Sequence, residues 1–135
     1  MYYISSDPEK ITPQRVKELL EQSYWAKHRS LGAIRISMEN LLLYGVFEKK
    51  TQQQVGFARV ITDFATTWYL CDVIVDENHR RNGIGKMLID HITADPRLTD
   101  IFGMLLTRDA HGLYSQYGFA SKNGIYMGRQ GKPEF

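Results

Sequence analysis

The sequence predicts an α/β domain built on a mixed β-sheet. Three observations carry that expectation. The hydrophobic period changes from helical to strand-like near residue 42, a nearly unbroken apolar run fills residues 66–75, and a glycine-bearing loop leads from that run into a second amphipathic stretch. With 135 residues the chain has the length of one domain, expected to span 1–135. A chain of this size buries roughly two thirds of the surface its unfolded form exposes, so its core needs neither disulfides nor a structural metal.

The elements follow in order. Tyr2 to Ser5 form a short opening strand, broken at Asp7-Pro8. Thr12-Pro13 has the form of an N-cap followed by proline at the first helical position. Val16, Leu19, Leu20 and Tyr24 recur at helical spacing, so a helix is expected over 13–25. A shorter helix is expected over 30–40, with Ile34, Met38 and Leu41 on one side. Leu42 to Glu48 and Val55 to Thr62 are rich in β-branched and aromatic residues and are joined by the polar stretch KKTQQQ, the pattern of a hairpin. Thr66 to Val75 (TTWYLCDVIV), interrupted by Asp72, fits a central strand covered on both faces. Met87, Leu88, Ile89 and Ile92 continue as a helix to about Thr93, and Asp95-Pro96 ends it. Ile101 to Thr107 reads as another buried strand, Ala110 to Tyr117 as a short helix closed by Gly118-Phe119, and Gly124 to Gly128 as a last strand. Gln130 to Phe135 read as disordered.

Composition excludes several function classes. A net charge of +2 is too weak for nucleic-acid binding, which needs a dense basic stripe. The basic cluster His79, Arg80, Arg81 and Lys86 is short and interleaved with glycine, which suits a small polyanion better than a duplex. The single cysteine, Cys71, lies inside the apolar run and reads as a small buried hydrophobe. With no intrachain disulfide available, a reducing, cytoplasmic compartment is expected. No C-x-x-C or His/Cys cluster suggests metal. The N-terminus does not read as a signal or transit peptide, and no apolar stretch approaches the roughly 20 residues of a membrane span.

The chemistry is expected in residues 73–88, where a buried strand runs through DENHRRNGIGK into a helix. The first N–H groups of a helix lack partners within it and carry partial positive charge. Gly83 and Gly85 let the backbone wrap an oxyanion closely, and Arg80, Arg81 and Lys86 add full charges, so the segment can cradle a pyrophosphate. Taken alone, two glycines serve equally well as a tight turn needed for packing. A P-loop is excluded because G-x-x-x-x-G-K-[ST] is absent, and a dinucleotide fingerprint because it needs three glycines after the first strand.

Two motifs carry a family resemblance. Arg80-Arg81-Asn82-Gly83-Ile84-Gly85, preceded by the strand exit Val75-Asp76-Glu77-Asn78-His79, resembles the R/Q-x-x-G-x-G/A signature of the GNAT family of N-acetyltransferases. Ala110 to Phe119 (AHGLYSQYGF) resembles the family's A-x-x-L-Y-x-x-x-G-F, in the expected order and with a helix and a strand between. The run from Val55 to Tyr114, with GFARV and TRDAHGLY, is similar to small single-domain bacterial members.

The resemblance implies a mostly antiparallel sheet splayed at its middle strands and flanked by about four helices. It implies acetyl transfer from acetyl-CoA, as cosubstrate, directly to a primary amine of a small molecule or peptide. Val73, Ile74 and Val75 would offer backbone groups to the pantetheine arm, and the backbone of Arg81, Asn82, Gly83, Ile84, Gly85 and Lys86 would hold the pyrophosphate. Arg80 fills the first signature position, though its side chain need not face the ligand. Tyr114 matches the general acid that protonates the leaving thiolate, while Tyr117 reads as structural.

The base is less legible. The strand Met104-Leu105-Leu106-Thr107 carries no carboxylate, where many family members place a glutamate. Asp72 is the first choice, because a lone buried Asp would have a raised pKa; a structural carboxylate paired with arginine or backbone amides fits it equally well. Asp109, His111 and Asp63 follow, as does a water relay. Trp25, Asp63 and Asp109 are expected at the acceptor, with Tyr24, Trp68 and Glu39 beside them, and an aromatic, acidic mouth would favour small cationic amines. Phe57 and Arg59 share a strand face near this pocket. An acetyl-CoA-binding sensor without transfer, and a transferase for longer acyl chains, are the alternative functions. A homodimer follows from the resemblance alone.

Overall fold

In the computed structural model, which describes residues 1–39 and 41–129, five strands and four helices alternate around one sheet. The strands are β1 (Tyr2–Ser5), β2 (Leu42–Glu48), β3 (Gln54–Thr62), β4 (Thr67–Val75) and β5 (Phe102–Leu105). The helices are α1 (Pro13–Leu20), α2 (Leu31–Ser37), α3 (Ile84–Thr93) and α4 (His111–Ser115), and a single 3₁₀ turn, Glu77–His79, follows β4. The sheet order is β1-β2-β3-β4-β5; the first four strands are antiparallel and β5 joins β4 in parallel. This is the mixed, mostly antiparallel sheet expected, crossed over once by α3.

Helices cover both faces. Val16, Leu19, Leu20 and Ile34 of α1 and α2 pack with Leu43, Phe47, Phe57 and Ile74 on one side. Ile84, Leu88, Ile89 and Ile92 of α3 pack with Tyr44, Val46, Ala58, Val60, Trp68 and Leu70 on the other, joined by Tyr114 of α4. Burial of these apolar stripes on two sides of one sheet is the main force holding the layers together. Thr12 caps α1 with its hydroxyl on the Arg15 N–H, and Ser30 caps α2 on the Ala33 N–H, as their positions before the helical periods predict.

Several expectations change. Helix α1 ends at Leu20 rather than near Trp25, because Ser23 turns the chain: its hydroxyl donates to the Leu20 carbonyl and accepts from the Ala26 N–H. Residues 21–30 therefore form a loop, and Tyr24 and Trp25 leave the helical face for the surface. Strand β5 is four residues long, and it is not a buried strand: Phe102 is exposed, as is Leu106 just past its end, and among the described residues β5 has a neighbour on one side only. Gly124 to Gly128 do not form a strand. Ile125, Tyr126 and Met127 project into solvent and pair with no strand among the described residues. The expected end of the second helix at Asn40, and the disorder expected over 130–135, fall outside the described residues. No described helix is long and apolar enough to cross a membrane.

Candidate active site

Among the described residues the sheet opens toward one side, between β4 and β5. Strand β4 pairs with β5 from Thr67↔Phe102 to Leu70↔Leu105, and there the parallel ladder stops. Residues 71–75 run on, paired among the described residues with β3 alone, so one edge of Cys71 to Val75 meets no described strand. A free edge presents unpaired backbone groups and is costly unless solvent or a ligand meets them. The gap is the splay expected at Val73, Ile74 and Val75.

A bulge widens it. Between Phe57↔Ile74 and Arg59↔Cys71, β3 advances two residues while β4 advances three. The extra residue falls at Asp72, in the left-handed region at φ +56. Bulges bend the strand and re-aim a side chain. Here the re-aimed carboxylate turns toward the α1–α2 face.

Past the strand, the exit is fixed from both sides. Asp76 caps the 3₁₀ turn on the Asn78 N–H and accepts from Arg15 Nη2 at 2.8 Å; Arg15 Nε also bonds the Gln54 carbonyl at 2.9 Å. Burial would raise the Asp76 pKa, but the Asn78 N–H and Arg15 outweigh it and hold the group ionised. Arg80 folds back, its Nε on the Val75 carbonyl at 3.3 Å. Asn82 braces the loop through the His79 and Arg80 carbonyls. Its side chain thus shapes the cradle.

Helix α3 begins at Ile84 with Gly83 as N-cap at φ +74 and no side-chain cap, and Arg81 is also left-handed at φ +68. The backbone N–H groups of residues 81–86 make no hydrogen bond to another described residue; the first one taken up is that of Met87, on the Gly83 carbonyl. A cleft of about 250 Å³ lies against them, lined by Val75, Arg80, Arg81, Gly83, Ile84, Gly85, Lys86 and Leu113. A Cβ on Gly85 would meet only Leu113 Cδ2, at 3.8 Å, and one on Gly83 would meet nothing. Packing therefore does not require glycine at 85; what glycine preserves is the space over the amides. Ile84 is buried, so its side chain belongs to the core and its N–H to the cradle.

Across the gap stands α4. Tyr114 is buried, packed edge-on against Phe119 at 6.1 Å, and Phe119 in turn packs against Trp68. The Tyr114 hydroxyl makes no hydrogen bond among the described residues. Burial, then the nearby Asp109 and Tyr24, push its pKa up to about 12, so the phenol keeps its proton at neutral pH. Tyr117 is structural: its hydroxyl bonds the Lys86 carbonyl at 3.3 Å and ties α4 to the cradle helix.

Asp72 is not the lone buried acid that its place in the strand suggested. Its Oδ2 accepts from Arg59 Nε at 2.6 Å and Arg29 Nη1 at 2.7 Å, and its Oδ1 from Trp25 Nε1 at 3.0 Å. Burial would raise its pKa, but the charges and hydrogen bonds of Arg59 and Arg29 outweigh it and hold the carboxyl below its ordinary range. A carboxylate so occupied is a poor proton acceptor, and of the two uses the sequence left open the geometry is that of the paired carboxylate. Trp25 lies beside Asp72, with Tyr24 edge-on to it at 5.1 Å and Arg108 over the Tyr24 ring at 4.3 Å. Asp109 is close enough to Tyr114 to influence it. Asp63 is elsewhere: it closes the β3–β4 turn, accepting from the Ala65, Thr66 and Thr67 N–H groups and the Thr66 hydroxyl, which hold its pKa far below the usual range. Arg29 and Arg108 were not foreseen. They lie far from Asp72 and Tyr24 in sequence; Arg29 falls in no motif, and Arg108, though inside TRDAHGLY, was given no role there. No cluster of His, Cys, Asp or Glu among the described residues could hold a metal ion.

Comparison with known proteins bears on the family and the fold. Residues 39–121 match the family model described as "Acetyltransferase (GNAT) domain". The crystal structure of a GNAT-family acetyltransferase from Xanthomonas campestris pv. campestris is 36% identical, with a TM-score of 0.88 over 96% of this chain and 93% of that one. A Gibberella zeae protein named as an acetyltransferase is 24% identical over 85% of this chain and 76% of its own length. At fold level alone, an aminoglycoside 6'-N-acetyltransferase crystallised with coenzyme A is 19% identical, with a TM-score of 0.56 over 67% of this chain and 52% of that one.

Proposed function

The chain belongs to the GNAT family of acetyltransferases, and from that premise we propose that it transfers an acetyl group from acetyl-CoA directly to a primary amine of a small molecule or peptide. The observation that carries the proposal is the row of unpartnered N–H groups over residues 81–86, opening beside the free edge of β4. Those amides, with the charges of Arg81 and Lys86, fit a pyrophosphate, and the space kept open by Gly85 lets it approach. Val73, Ile74 and Val75 offer their free edge to the amide-bearing pantetheine arm. The coenzyme A complex of a fold neighbour supports the same choice of donor.

Bound acetyl-CoA supplies an activated thioester. The neutral amine attacks the thioester carbon. Tyr114, protonated and free at its hydroxyl, donates its proton to the sulfur as the C–S bond breaks, and the proton that the nitrogen loses passes through water to the phenolate. Asp72 does not take the amine's proton; it holds Trp25, Arg29 and Arg59 at the other side of the gap. Cys71 does not carry the acetyl group: burial pushes its thiol up to about 11, so almost none is thiolate at neutral pH.

We read the 135 residues as one acetyltransferase domain, and a buried, unpaired Cys71 fits a reducing cytoplasm. A homodimer belongs to the same proposal, supported by the free edge of β5 and the exposed Phe102, Ile125, Tyr126 and Met127. The deciding experiment measures acetyl-CoA binding by calorimetry and coenzyme A release with an amine panel. Binding with turnover is expected. No binding would refute the cradle, and binding without turnover of any amine would leave an acetyl-CoA sensor instead.

A further inference from the structure

The cleft's acceptor side was expected to be acidic, and it is cationic. Two guanidinium groups, Arg29 and Arg59, share one buried carboxylate, and they converge on the same oxygen, Asp72 Oδ2. The ion cluster therefore keeps one positive charge in excess. Cys71 and Tyr69 beside it do not cancel the excess, because both are held neutral, Cys71 chiefly by burial and Tyr69 likewise. At the mouth, Arg108 stacked on the exposed Tyr24 is offset by Asp109 near Tyr114, so the excess rests on Arg29 and Arg59.

The donor inventory points the same way. An arginine has five N–H groups. Arg59 commits Nε and Arg29 commits Nη1 to Asp72; neither guanidinium makes another hydrogen bond among the described residues. Both side chains are largely buried, at 17% and 14% exposed, yet none of the nitrogens left without a hydrogen bond is sealed off from solvent. These spare donors can be met by water, and an oxyanion that displaces that water gains charge-assisted bonds from forks already held in place. The carboxylate also fixes the two forks, since Trp25 holds its second oxygen. Pre-set, partly desolvated forks with spare edges are suited to a bidentate oxyanion.

Their place in the fold ties them to the reaction. Asp72 follows Cys71 at the bulge where β4 leaves β5, directly next to Val73. Trp25 and Tyr24 lead from it to the Tyr114 side of the gap, where Asp109 lies. Tyr24 and Trp25 thus connect the surroundings of Tyr114 to the Asp72 cluster, which is where the proposal puts the two ends of the acceptor.

We propose that the acceptor is a small amine that also carries an oxyanion, a carboxylate or a phosphate, and that the spare N–H edges of Arg29 and Arg59 bind it. This rests on the acetyl-transfer reading above and narrows its substrate class. Acidic and zwitterionic amines are favoured over polyamines and aminoglycosides, which the excess charge repels.

The test compares matched pairs on the full chain: an amino acid against its amide and its decarboxylated amine, and an amino-sugar phosphate against the free amino sugar. Steady-state kcat/KM is measured for each, and binding to the coenzyme A-loaded protein by calorimetry. The oxyanion member of at least one pair is expected to be favoured by about 10- to 100-fold, the range of a charge-assisted contact. The pair that responds tells carboxylate from phosphate. Arg59→Lys, which keeps the charge and loses the fork, and Arg29→Gln should reduce that preference while leaving acetyl-CoA affinity unchanged. A thermal melt separates loss of fold from loss of binding, and the wild-type panel is decisive without the variants. Equal or better use of the neutral or cationic members, or no binding and no acetylation of any oxyanion-bearing amine, overturns the proposal. Absence of acetyl-CoA binding instead defeats the underlying transferase reading.

Discussion

Replacing Asp72 with alanine should be among the most damaging single changes to the fold. The carboxylate side chain is 4% exposed and its partners Arg29 and Arg59 are 17% and 14% exposed, so water screens these charges little. Alanine leaves two like charges facing each other with no counterion. Removing one partner of a buried ion pair costs about 3–5 kcal/mol, against a total stability of about 5–15 kcal/mol for a domain. With a urea m-value of about 2 kcal/mol/M, the midpoint should fall by about 2 M. A second variant isolates the backbone. Asp72 sits at φ +56, a region that costs a residue with a Cβ about 1–2 kcal/mol more than glycine. Asp72→Gly should therefore be less destabilised than Asp72→Ala, although both lack the carboxylate. The pH dependence has a definite sign. The folded pKa of Asp72 lies below its unfolded value of about 3.9, so its contribution is complete above about pH 4 and is lost as pH falls through the folded value. Asp95, Asp76 and Asp63 titrate in the same direction, so the difference between wild type and Asp72→Asn isolates the one group. Equilibrium urea unfolding from pH 2 to 7 is the assay. A loss below about 1 kcal/mol for Asp72→Ala would mean that the cluster is solvated like a surface pair, and the reasoning from burial would fail.

Tyr114→Phe should lower kcat by about 10²- to 10⁴-fold with acetyl-CoA affinity unchanged, as steady-state kinetics and calorimetry would show. Because the Tyr114 pKa is pushed up to about 12, wild-type kcat should show no descending limb from this phenol near pH 10. Gly85→Ala should alter stability by less than about 0.5 kcal/mol, since its Cβ meets only Leu113, while weakening acetyl-CoA binding measurably in calorimetry. Gly103→Ala should do the reverse: its Cβ would overlap the Trp68 indole, costing about 1–3 kcal/mol and shifting Trp68 fluorescence, with the cradle intact.

The cradle was legible because its chemistry is local. A strand exit, two glycines and a helix start are contiguous in sequence, and the physics of an uncapped helix N-terminus needs nothing from elsewhere. Strands β1 to β4 and the caps Thr12 and Ser30 were legible for the same reason. The acceptor side was not. Asp72 was visible as an acid in an apolar run, but its ionisation depends on Arg29, from the loop after α1, and on Arg59, set opposite by a bulge. Neither partner is near it in sequence. Asp63 misled because an Asp at a strand end looks alike whether it faces a cleft or its own turn; three following N–H groups decided the matter. The last strand failed because Ile125, Tyr126 and Met127 have strand-like composition, which expresses itself only where a sheet edge receives it.

The divergence of β4 from β5 also bears on kinetic order. On the proposed reading, the donor approaches this divergence from the α3–α4 side, by residues 81–86, and the acceptor from the α1–α2 side, by Arg29 and Arg59. Donor and acceptor can then be resident together, each admitted from its own side, and neither must depart for the other to arrive. Double-reciprocal plots should intersect rather than run parallel, and coenzyme A should dissociate past α4 without waiting for the acetylated amine.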